Sequence, residues 1–260
     1  MRLAIDAGDI RRTIRLVAPP ALATLLLIGT WQLLSASGMV RARLLPPPGK
    51  VFDTLVQSID VLLEQAQPTF VAAVIGILAA ALLGIALGIA VSWSRVLMQA
   101  IYPTIVFFQL IPKVALAPVF LIWFGTGLAA NIVFSVFIAF FPVVVATIAG
   151  LQAAPPSYER LCRSLMMSRL RGFLTVQFPF ALPYIFSGLR IGVTFAVIGV
   201  VLGEFITVQT GLGYIILFSA NNFETALLLS AIALLCGVGA VLFVFFLALE
   251  ALVLGVYDSR

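Results

Sequence analysis

The sequence predicts an all-α membrane protein with several spanning helices, and three observations carry that prediction. Of the 260 residues, 63% are hydrophobic and only 10% are charged, whereas soluble domains are roughly 45–50% apolar and about 25% charged. The mean hydropathy is +1.20. The apolar residues also lie in long uncharged runs of bilayer-spanning length rather than in short alternating segments. A soluble globular fold is thereby excluded.

The residue types that are missing restrict the chemistry of the chain. It contains no histidine, which excludes histidine-based catalysis, histidine-ligated haem and nearly every zinc site. The two cysteines, Cys162 and Cys236, have neither a metal-ligand nor a CxxC spacing. Gly49-Lys50 is followed by Val51 and completes no phosphate-binding P-loop. We therefore expect no enzyme activity, no metal and no cofactor on this chain, so that any nucleotide hydrolysis takes place on another chain.

Six apolar runs come close to the ~20 residues that a helix needs to cross the hydrocarbon layer. They cover residues 16–35, 69–92, 99–123, 128–150, 181–206 and 225–254. The third run is interrupted by Pro103, Pro112, Lys113 and Pro118. Because backbone breaks at membrane depth are tolerated only against protein or a water-filled cavity, this span is not expected to face lipid.

The first run has features of both a secretory signal and a membrane anchor. Arg11-Arg12 precede it, and Ser35-Ala36-Ser37 resembles a small-residue cleavage site. The run is longer than the apolar core of a typical signal, however, and the chain inserts again shortly afterwards. We interpret residues 1–15 as an N-terminal segment outside the membrane and residues 16–260 as one transmembrane domain that begins with this anchor.

The segment 36–66 separates the first two spans. It contains three consecutive prolines, Pro46 to Pro48, among scattered charges. Such a composition is typical of a loop. We interpret the segment as an external linker that carries a short surface helix around 50–64.

The basic residues decide the orientation, since an even number of spans places both termini on one side. Only Arg41, Arg43 and Lys50 are external if the N-terminus is inside. The cytoplasmic segments then hold ten arginines: Arg2, Arg11, Arg12, Arg15, Arg95, Arg160, Arg163, Arg169, Arg171 and Arg260. Both termini are therefore expected in the cytoplasm. The pI near 9.7 then reflects loop arginines and does not indicate a nucleic-acid partner.

The longest polar interruption after the linker is residues 151–180, which is cytoplasmic in this orientation. Ser157 follows two prolines and is expected to cap a short amphipathic helix, and Ser168 is expected to cap a second one. The apolar face of the first helix holds Tyr158, Leu161, Cys162 and Leu165. Periodicity leaves two interpretations open. The segment is either a connector with its arginines at lipid headgroups, or a docking surface for a soluble partner.

Several short strings occur in order along the chain. They are Leu45-Pro46-Pro47-Pro48-Gly49-Lys50-Val51, Leu110-Ile111-Pro112-Lys113, Trp123-Phe124-Gly125-Thr126-Gly127, Arg163-Ser164-Leu165, Gly203-Glu204-Phe205 and Gly211-Leu212-Gly213. Together they resemble the inner-membrane permeases of binding-protein-dependent ABC importers, in particular the sulfonate, taurine and nitrate type. The resemblance covers about residues 45–250. It implies six transmembrane helices with a cytoplasmic coupling helix, the type I ABC importer permease fold.

The cytoplasmic signature of that family is Glu-Ala-Ala, three residues, Gly, nine residues, then Ile-x-Leu-Pro. With the last proline on Pro179, the opening triplet is Arg160-Leu161-Cys162 and the glycine position is Met166. Methionine prefers a helix where glycine permits a tight turn, so we expect the break to move to Ser168 or the turn to open.

The resemblance implies that residues 158–172 form the coupling helix, which enters a cleft of a cytoplasmic ATPase. The residues expected to meet that ATPase are Tyr158, Glu159, Arg160, Leu161, Arg163, Leu165, Met166, Ser168 and Arg169. The implied partners are two ATPase subunits, which bind the ATP and Mg²⁺, an external substrate-binding protein, and a second permease subunit that is either a copy of this chain or a similar one. The membrane lipid of the inner membrane surrounds the complex.

Three polar residues within the spans are candidates for the translocation path. Lys113 lies in the interrupted third run, where an unpaired ammonium costs at least ~2.5–3.5 kcal/mol, and Gln109 precedes it by one turn. The lysine either meets an anionic solute or is a structural or snorkelling group. Glu204 either caps an external gate, pairs with a cation or is an interfacial carboxylate. Arg190 is expected to orient the cytoplasmic end of the fifth span.

Three GxxxG pairs indicate close helix packing. They are Gly84 with Gly88, Gly188 with Gly192, and Gly199 with Gly203. Two of the pairs lie on the fifth span, which suggests close contact with other protein, as two permease subunits around a central path would need.

The sequence therefore predicts a permease subunit of an ATP-driven importer for a small solute. The resemblance favours a sulfonate, nitrate or similar anion, and a pyrimidine-type vitamin precursor is the alternative substrate. An ion-coupled secondary carrier is the alternative mechanism, although such carriers usually need more titratable groups along the path.

Overall fold

The computed structural model describes residues 7–38, 40–207 and 210–258. These residues form α-helices, one 3-10 turn and one π-helical segment, and they contain no strand, which confirms the all-α prediction. The helices are α1 (Ala7–Ala36), α2 (Pro48–Gln57), α3 (Ile59–Trp93), α4 (Arg95–Leu110), α5 (Ala117–Phe124), α6 (Leu128–Gln152), α7 (Pro156–Ser164), α8 (Arg169–Gly172), α9 (Phe178–Thr207), α10 (Leu212–Asn221) and α11 (Thr225–Asp258). Arg2 and Arg260, on which the orientation partly rests, lie outside the described residues.

Five of the described helical segments are long and apolar enough to cross a membrane. They are Ala18–Ala36, Ile59–Trp93, Leu128–Gln152, Arg169–Thr207 and Thr225–Gly255. The predicted third span is a broken one. It consists of α4 and the segment Lys113–Phe124, which meet at an angle of 88°. Only together are these two segments long and apolar enough to cross a membrane. The six predicted crossings are obtained when this bent pair counts as one span.

The linker between the first two spans is shorter than the predicted 36–66. After α2, only Ser58 separates that helix from α3, so residues 59–66 belong to the spanning helix. Leu62 and Ala66 are buried against the rest of the chain. Tertiary packing therefore extends the helix beyond the apolar run, and Pro68 lies inside it without ending it.

The linker ties the first and last helices together. Trp31 Nε1 of α1 donates to the Pro46 carbonyl at 3.0 Å, and Ser35 Oγ donates to the Leu45 carbonyl at 2.9 Å. On the other side, Ser230 Oγ of α11 donates to the Val51 carbonyl at 2.9 Å. The proline-containing segment thus has fixed partners, whereas most of the described α1 side chains are exposed.

The core is formed by α3, α6 and α9, which pack along most of their length. Glycines allow this contact. A Cβ at Gly199 of α9 would lie 2.7 Å from Ser135 Cα of α6, and one at Gly88 of α3 would lie 2.7 Å from Thr147 Cβ. The other four predicted packing glycines, Gly84, Gly188, Gly192 and Gly203, also face α6, and Gly192 faces Ile77 of α3 as well. The predicted close packing is therefore within the chain. The two pairs on the fifth span were expected to contact other protein, but they contact α6 of the same chain.

Candidate coupling surface and translocation path

The predicted coupling segment forms a hairpin of α7 and α8. The first helix begins after Pro155, with Pro156 at its first position and no side-chain cap, so the prediction that Ser157 caps it is wrong. Proline takes this position readily because its fixed φ suits the first helical turn and its missing N–H costs nothing there. The hairpin leaves exposed the side chains of Tyr158, Arg160, Leu161, Arg163, Leu165 and Met166. Glu159 lies on the same helix, but its side chain is outside the described part.

The turn between the two short helices lies at Met166. The expectation that the helix break moves to Ser168 is therefore wrong. Met166 has a φ of 51°, in the left-handed region that glycine adopts most easily. The N–H of Met166 donates to the Arg163 carbonyl and that of Met167 to the Cys162 carbonyl, both at 3.0 Å. This pair of bonds is a Schellman motif, which satisfies carbonyls at the end of a helix. Methionine therefore takes the glycine position of the signature at a conformational cost.

The second helix of the hairpin is anchored to α3. Ser168 Oγ accepts from the Arg171 N–H at 3.4 Å, so the predicted cap at Ser168 is confirmed. Arg169 Nη2 donates to the carbonyl of Trp93, the last residue of α3, and its guanidinium lies 5.0 Å from the centre of the indole ring. We expected Arg169 to face an ATPase, but its guanidinium contacts its own chain. The hairpin is thus tied to the end of a core helix.

The hairpin also continues directly into α9. The π-helical segment Phe173–Gln177 joins α8 to α9 without a loop, so that Arg169–Thr207 is one helical path. Trp93 and Phe173 are in edge contact, with ring centres 5.4 Å apart. The hairpin is therefore connected to both α3 and α9.

Lys113 lies at the bend of the broken span. It begins the 3-10 turn Lys113–Leu116 between α4 and α5. Its Nζ lies 3.5 Å from the Gln109 carbonyl and 5.5 Å from the centre of the Phe141 ring. Phe141 is near the middle of α6, so the ammonium lies beside the middle of a helix that is long enough to cross a membrane. The structure therefore brings Gln109 and Lys113 together through the backbone of Gln109, on a partly exposed surface of the chain.

Glu204 is 1% exposed and is enclosed by its own chain. Its Oε1 accepts from Thr69 Oγ1 of α3 at 2.7 Å, and its Oε2 accepts from the Gly213 N–H of α10 at 2.7 Å. These contacts do not involve Lys113. The expectations of a path-lining or interfacial carboxylate are wrong, because neutral donors of this chain surround the group and bury it.

The same network provides hydrogen-bond acceptors for the N–H groups at the start of α10. The sequence did not predict these bonds. Three successive N–H groups there have side-chain acceptors. Gly211 N–H donates to Gln65 Oε1 at 2.8 Å, and Leu212 N–H donates to Thr69 Oγ1 at 2.9 Å. The third group, the Gly213 N–H, donates to Glu204 Oε2. Acceptors at these positions satisfy donors that a helix leaves unpaired, and a carboxylate also interacts favourably with the helix dipole.

Arg190 has a partner that was not anticipated. Its Nε lies 3.3 Å from Glu250 Oε2 of α11, which forms an ion pair between α9 and the last spanning helix. We expected Arg190 to orient its span against the coupling segment or lipid phosphate. A pair with a carboxylate within the chain lowers the cost of holding either charge inside the membrane.

Sequence reasoning missed the residues that hold the elements together, among them Gln65, Thr69 and Trp93. A signal existed only for the network around Glu204. The string Gly211-Leu212-Gly213 was noted, and Gly211 has a φ of 105°, which requires glycine. A Cβ at Gly213 would lie 2.8 Å from Glu204 Oε2. Nothing in the spacing of Trp93 and Arg169 indicated their contact.

Comparison with known proteins shows which family this architecture represents. Residues 73–256 match the model of the binding-protein-dependent transport system inner membrane component. A probable ABC transporter permease protein of Haemophilus influenzae is 34% identical over 88% of this chain and 94% of the relative. A nitrate import permease protein of Leptolyngbya laminosa is 31% identical over 89% and 85% of the two chains. A formylaminopyrimidine transport permease protein of Halalkalibacterium halodurans is 34% identical over 75% and 78%. The chain therefore belongs to the inner-membrane permeases of binding-protein-dependent ABC importers.

Proposed function

We propose that this chain forms the translocation path of an importer driven by two cytoplasmic ATPase subunits, which bind the ATP and Mg²⁺ and dock on the α7–α8 hairpin. The observation that carries the proposal is the exposed apolar surface of that hairpin. Met166 is 94% exposed, and Leu161 and Leu165 are more than half exposed. Apolar side chains at the tip of a polar segment gain stability when a partner covers them. Both termini and the hairpin lie on the cytoplasmic side.

The hairpin supplies the mechanical connection in this proposal. Closure of the ATPase dimer on ATP binding displaces the hairpin. The contact between Arg169 and Trp93 passes the displacement to α3, and the π-helical segment passes it to α9. These are two of the three core helices, so their movement opens the path outward, and hydrolysis resets it inward. The chain itself contributes shape and coupling, with no bond chemistry.

A second permease subunit completes the path, and we propose that it is a second copy of this chain. The broken span supports this. Phe107, Leu110, Ile122 and Trp123 on its two arms are largely exposed, and Ile122 reaches 80%. Irregular backbone at membrane depth needs protein or a water-filled cavity beside it. Two copies that face each other through α4 and α5 would provide both.

The proposed substrate is a small anion, delivered by an external binding protein. Lys113 supports this, since it places a cation at mid-membrane depth on the span that would face the path. The relatives include a nitrate permease and a formylaminopyrimidine permease, so a pyrimidine-type vitamin precursor is the second candidate. Membership of the importer family favours ATP-driven transport over the ion-coupled alternative.

Reconstitution with the ATPase and binding protein tests the coupling role. Leu165→Asp introduces a charge into the apolar surface, so stimulation of ATP hydrolysis by the loaded binding protein should be lost and assembly weakened. Leu44→Asp is the matched control, because Leu44 is about as exposed as Leu165 but lies in the external linker. Normal stimulation in Leu165→Asp would contradict the proposed docking surface. Transport by the native chain on an ion gradient without an ATPase would contradict the proposed mechanism.

A further inference from the structure

A groove of about 460 Å³ lies between the hairpin and the membrane domain. It is formed where α3 ends, α4 begins and the π-helical segment leads into α9. Its lining changes in character along the helices. Ile89 lies one turn further into the apolar span than Trp93, and Val176 lies one turn further than Gly172. The groove therefore runs from the polar edge of the membrane domain into its apolar part.

The polar part of the groove is strongly basic. Arg95, Arg163 and Arg169 line it, and the described lining residues include no carboxylate. Arg169 is held in place by one hydrogen bond to the Trp93 carbonyl, which uses one of the five N–H donors of its guanidinium, and by contact with the indole ring. A guanidinium fixed in this way is suited to bind a phosphate group.

An unpaired polar atom also lies at the groove. Ser92 Oγ is buried and has no hydrogen-bond partner among the described residues. A buried hydroxyl without a partner is costly, by more than the hydrogen bond itself contributes when made. Ser92 and Arg95 also line a neighbouring groove of about 380 Å³, so the serine lies between two grooves.

We infer that this groove binds the headgroup phosphate of an anionic phospholipid, with an acyl chain along Ile89 and Val176. Arginines and a hydroxyl next to an apolar wall match an amphipathic ligand, whereas a free phosphate would leave the apolar wall unused. The indole of Trp93 lies at the boundary, a position that tryptophan favours at membrane interfaces.

The inference goes beyond the proposed transport function and does not depend on it. The apolar side chains assigned to the ATPase, Leu161 and Leu165, are not part of the groove lining, whereas Cys162 and Arg163 of the same helix are. The groove shares Arg163, Ser168 and Arg169 with the predicted coupling residues, but not the exposed apolar side chains on which the docking proposal rests. Lipid binding is therefore measurable on the permease alone, without the ATPase or the binding protein.

Tryptophan fluorescence provides the test, since Trp93 lines the groove and the other tryptophans are Trp31 and Trp123. In the background Trp31→Phe and Trp123→Phe, the purified chain is placed in vesicles of phosphatidylcholine with brominated phosphatidylglycerol or brominated phosphatidylcholine. Bromine quenches the indole on contact. We expect half-maximal quenching at a lower mole fraction of the brominated phosphatidylglycerol than of the brominated phosphatidylcholine.

The variants locate the binding site. Arg95→Gln should weaken the preference about fivefold, because a basic residue near an anionic headgroup contributes a factor of this order. Arg95→Lys should retain most of it. Arg160→Gln is the control for general surface charge, as Arg160 lies on α7 but not in the groove lining, and it should leave the preference unchanged.

Three outcomes would overturn the inference. One is equal quenching by the two brominated lipids. Another is an equal loss of preference in Arg95→Gln and Arg160→Gln, which would show general surface attraction. The third is loss of the preference on adding millimolar inorganic phosphate at constant ionic strength, which would assign the groove to a soluble phosphate.

Discussion

Glu204 accepts a hydrogen bond from the backbone N–H of Gly213 at 2.7 Å, across the turn that joins the long helix α9 to the short helix α10. Thr69 of α3 donates to the same carboxylate at 2.7 Å. The pair therefore connects three helices at one buried point. Since the residue is buried and both oxygens accept from the chain, the carboxylate acts as a structural acceptor at the start of α10.

The first prediction concerns this carboxylate. Glu204→Leu removes both acceptors, so the Gly213 N–H is left unsatisfied and Thr69 Oγ1 keeps only the Gln65 carbonyl, 3.3 Å away. A buried unsatisfied group costs roughly 1–3 kcal/mol, so the variant should unfold at a clearly lower temperature in detergent. Glu204→Gln keeps one acceptor, so its unfolding temperature should fall less. Glu224→Gln, at an exposed carboxylate, is the control, and an equal shift in the control would refute the structural role.

The second prediction concerns the left-handed turn at Met166. Replacement by glycine should stabilise the hairpin by about 1 kcal/mol, because a side chain in the left-handed region costs roughly 1–2 kcal/mol and glycine recovers most of it. The measurement is hydrogen exchange of the α7 amides, which should slow. Met167→Gly is the matched control, since Met167 does not have a positive φ. Faster exchange in Met166→Gly would show that the methionine side chain itself holds the turn.

The third prediction concerns the contact of α9 with α6. Gly199→Ala places a Cβ 2.7 Å from the backbone of Ser135, and backbone cannot rotate away as a side chain can. Such overpacking costs roughly 1–3 kcal/mol, so thermal stability should fall. Gly237→Ala in α11 is the control because open space surrounds that Cβ. In Gly237→Ala the thermal stability should stay the same or rise, because alanine has a higher helix propensity than glycine. A loss of stability only in Gly237→Ala would contradict the assigned packing.

The fourth prediction concerns the proposed substrate contact of Lys113. If the ammonium binds an anionic solute, Lys113→Met should raise the KM for uptake roughly ten- to hundredfold, since a hydrogen bond to a charged group contributes roughly 1.5–3 kcal/mol. Lys113→Arg should recover part of the affinity. Uptake assays in proteoliposomes with the cognate binding protein measure both. An unchanged KM for the anion in Lys113→Met would show that the lysine does not contact the solute in the path.

The broken third span illustrates how far the sequence alone leads. Pro103, Pro112, Lys113 and Pro118 predicted an interruption that could not face lipid. In the structure the interruption is an 88° bend between α4 and the segment Lys113–Phe124. The direction of the bend, and the position of Lys113 over Phe141, depend on packing against α6 and could not be read from local residue types.

The coupling hairpin also combines features that the sequence predicts with features that only the tertiary structure decides. Spacing placed Met166 at the glycine position and Ser168 at a cap, and both positions matter in the structure. The conformation of Met166 could not be predicted, because helix propensity of a single residue is weaker than the combined demand of the Schellman bonds and of the contacts beyond the turn.

The sequence by itself determined the class of the protein, the approximate spans and the segment that resembles a coupling helix, because these depend on local hydrophobicity and on spacing along the chain. Only the tertiary structure decided that the glycines of α9 contact α6 of the same chain, that Glu204 caps α10 and that Arg169 holds the end of α3. Each of these joins residues far apart in sequence, and their energies depend on distance and burial after the helices have packed.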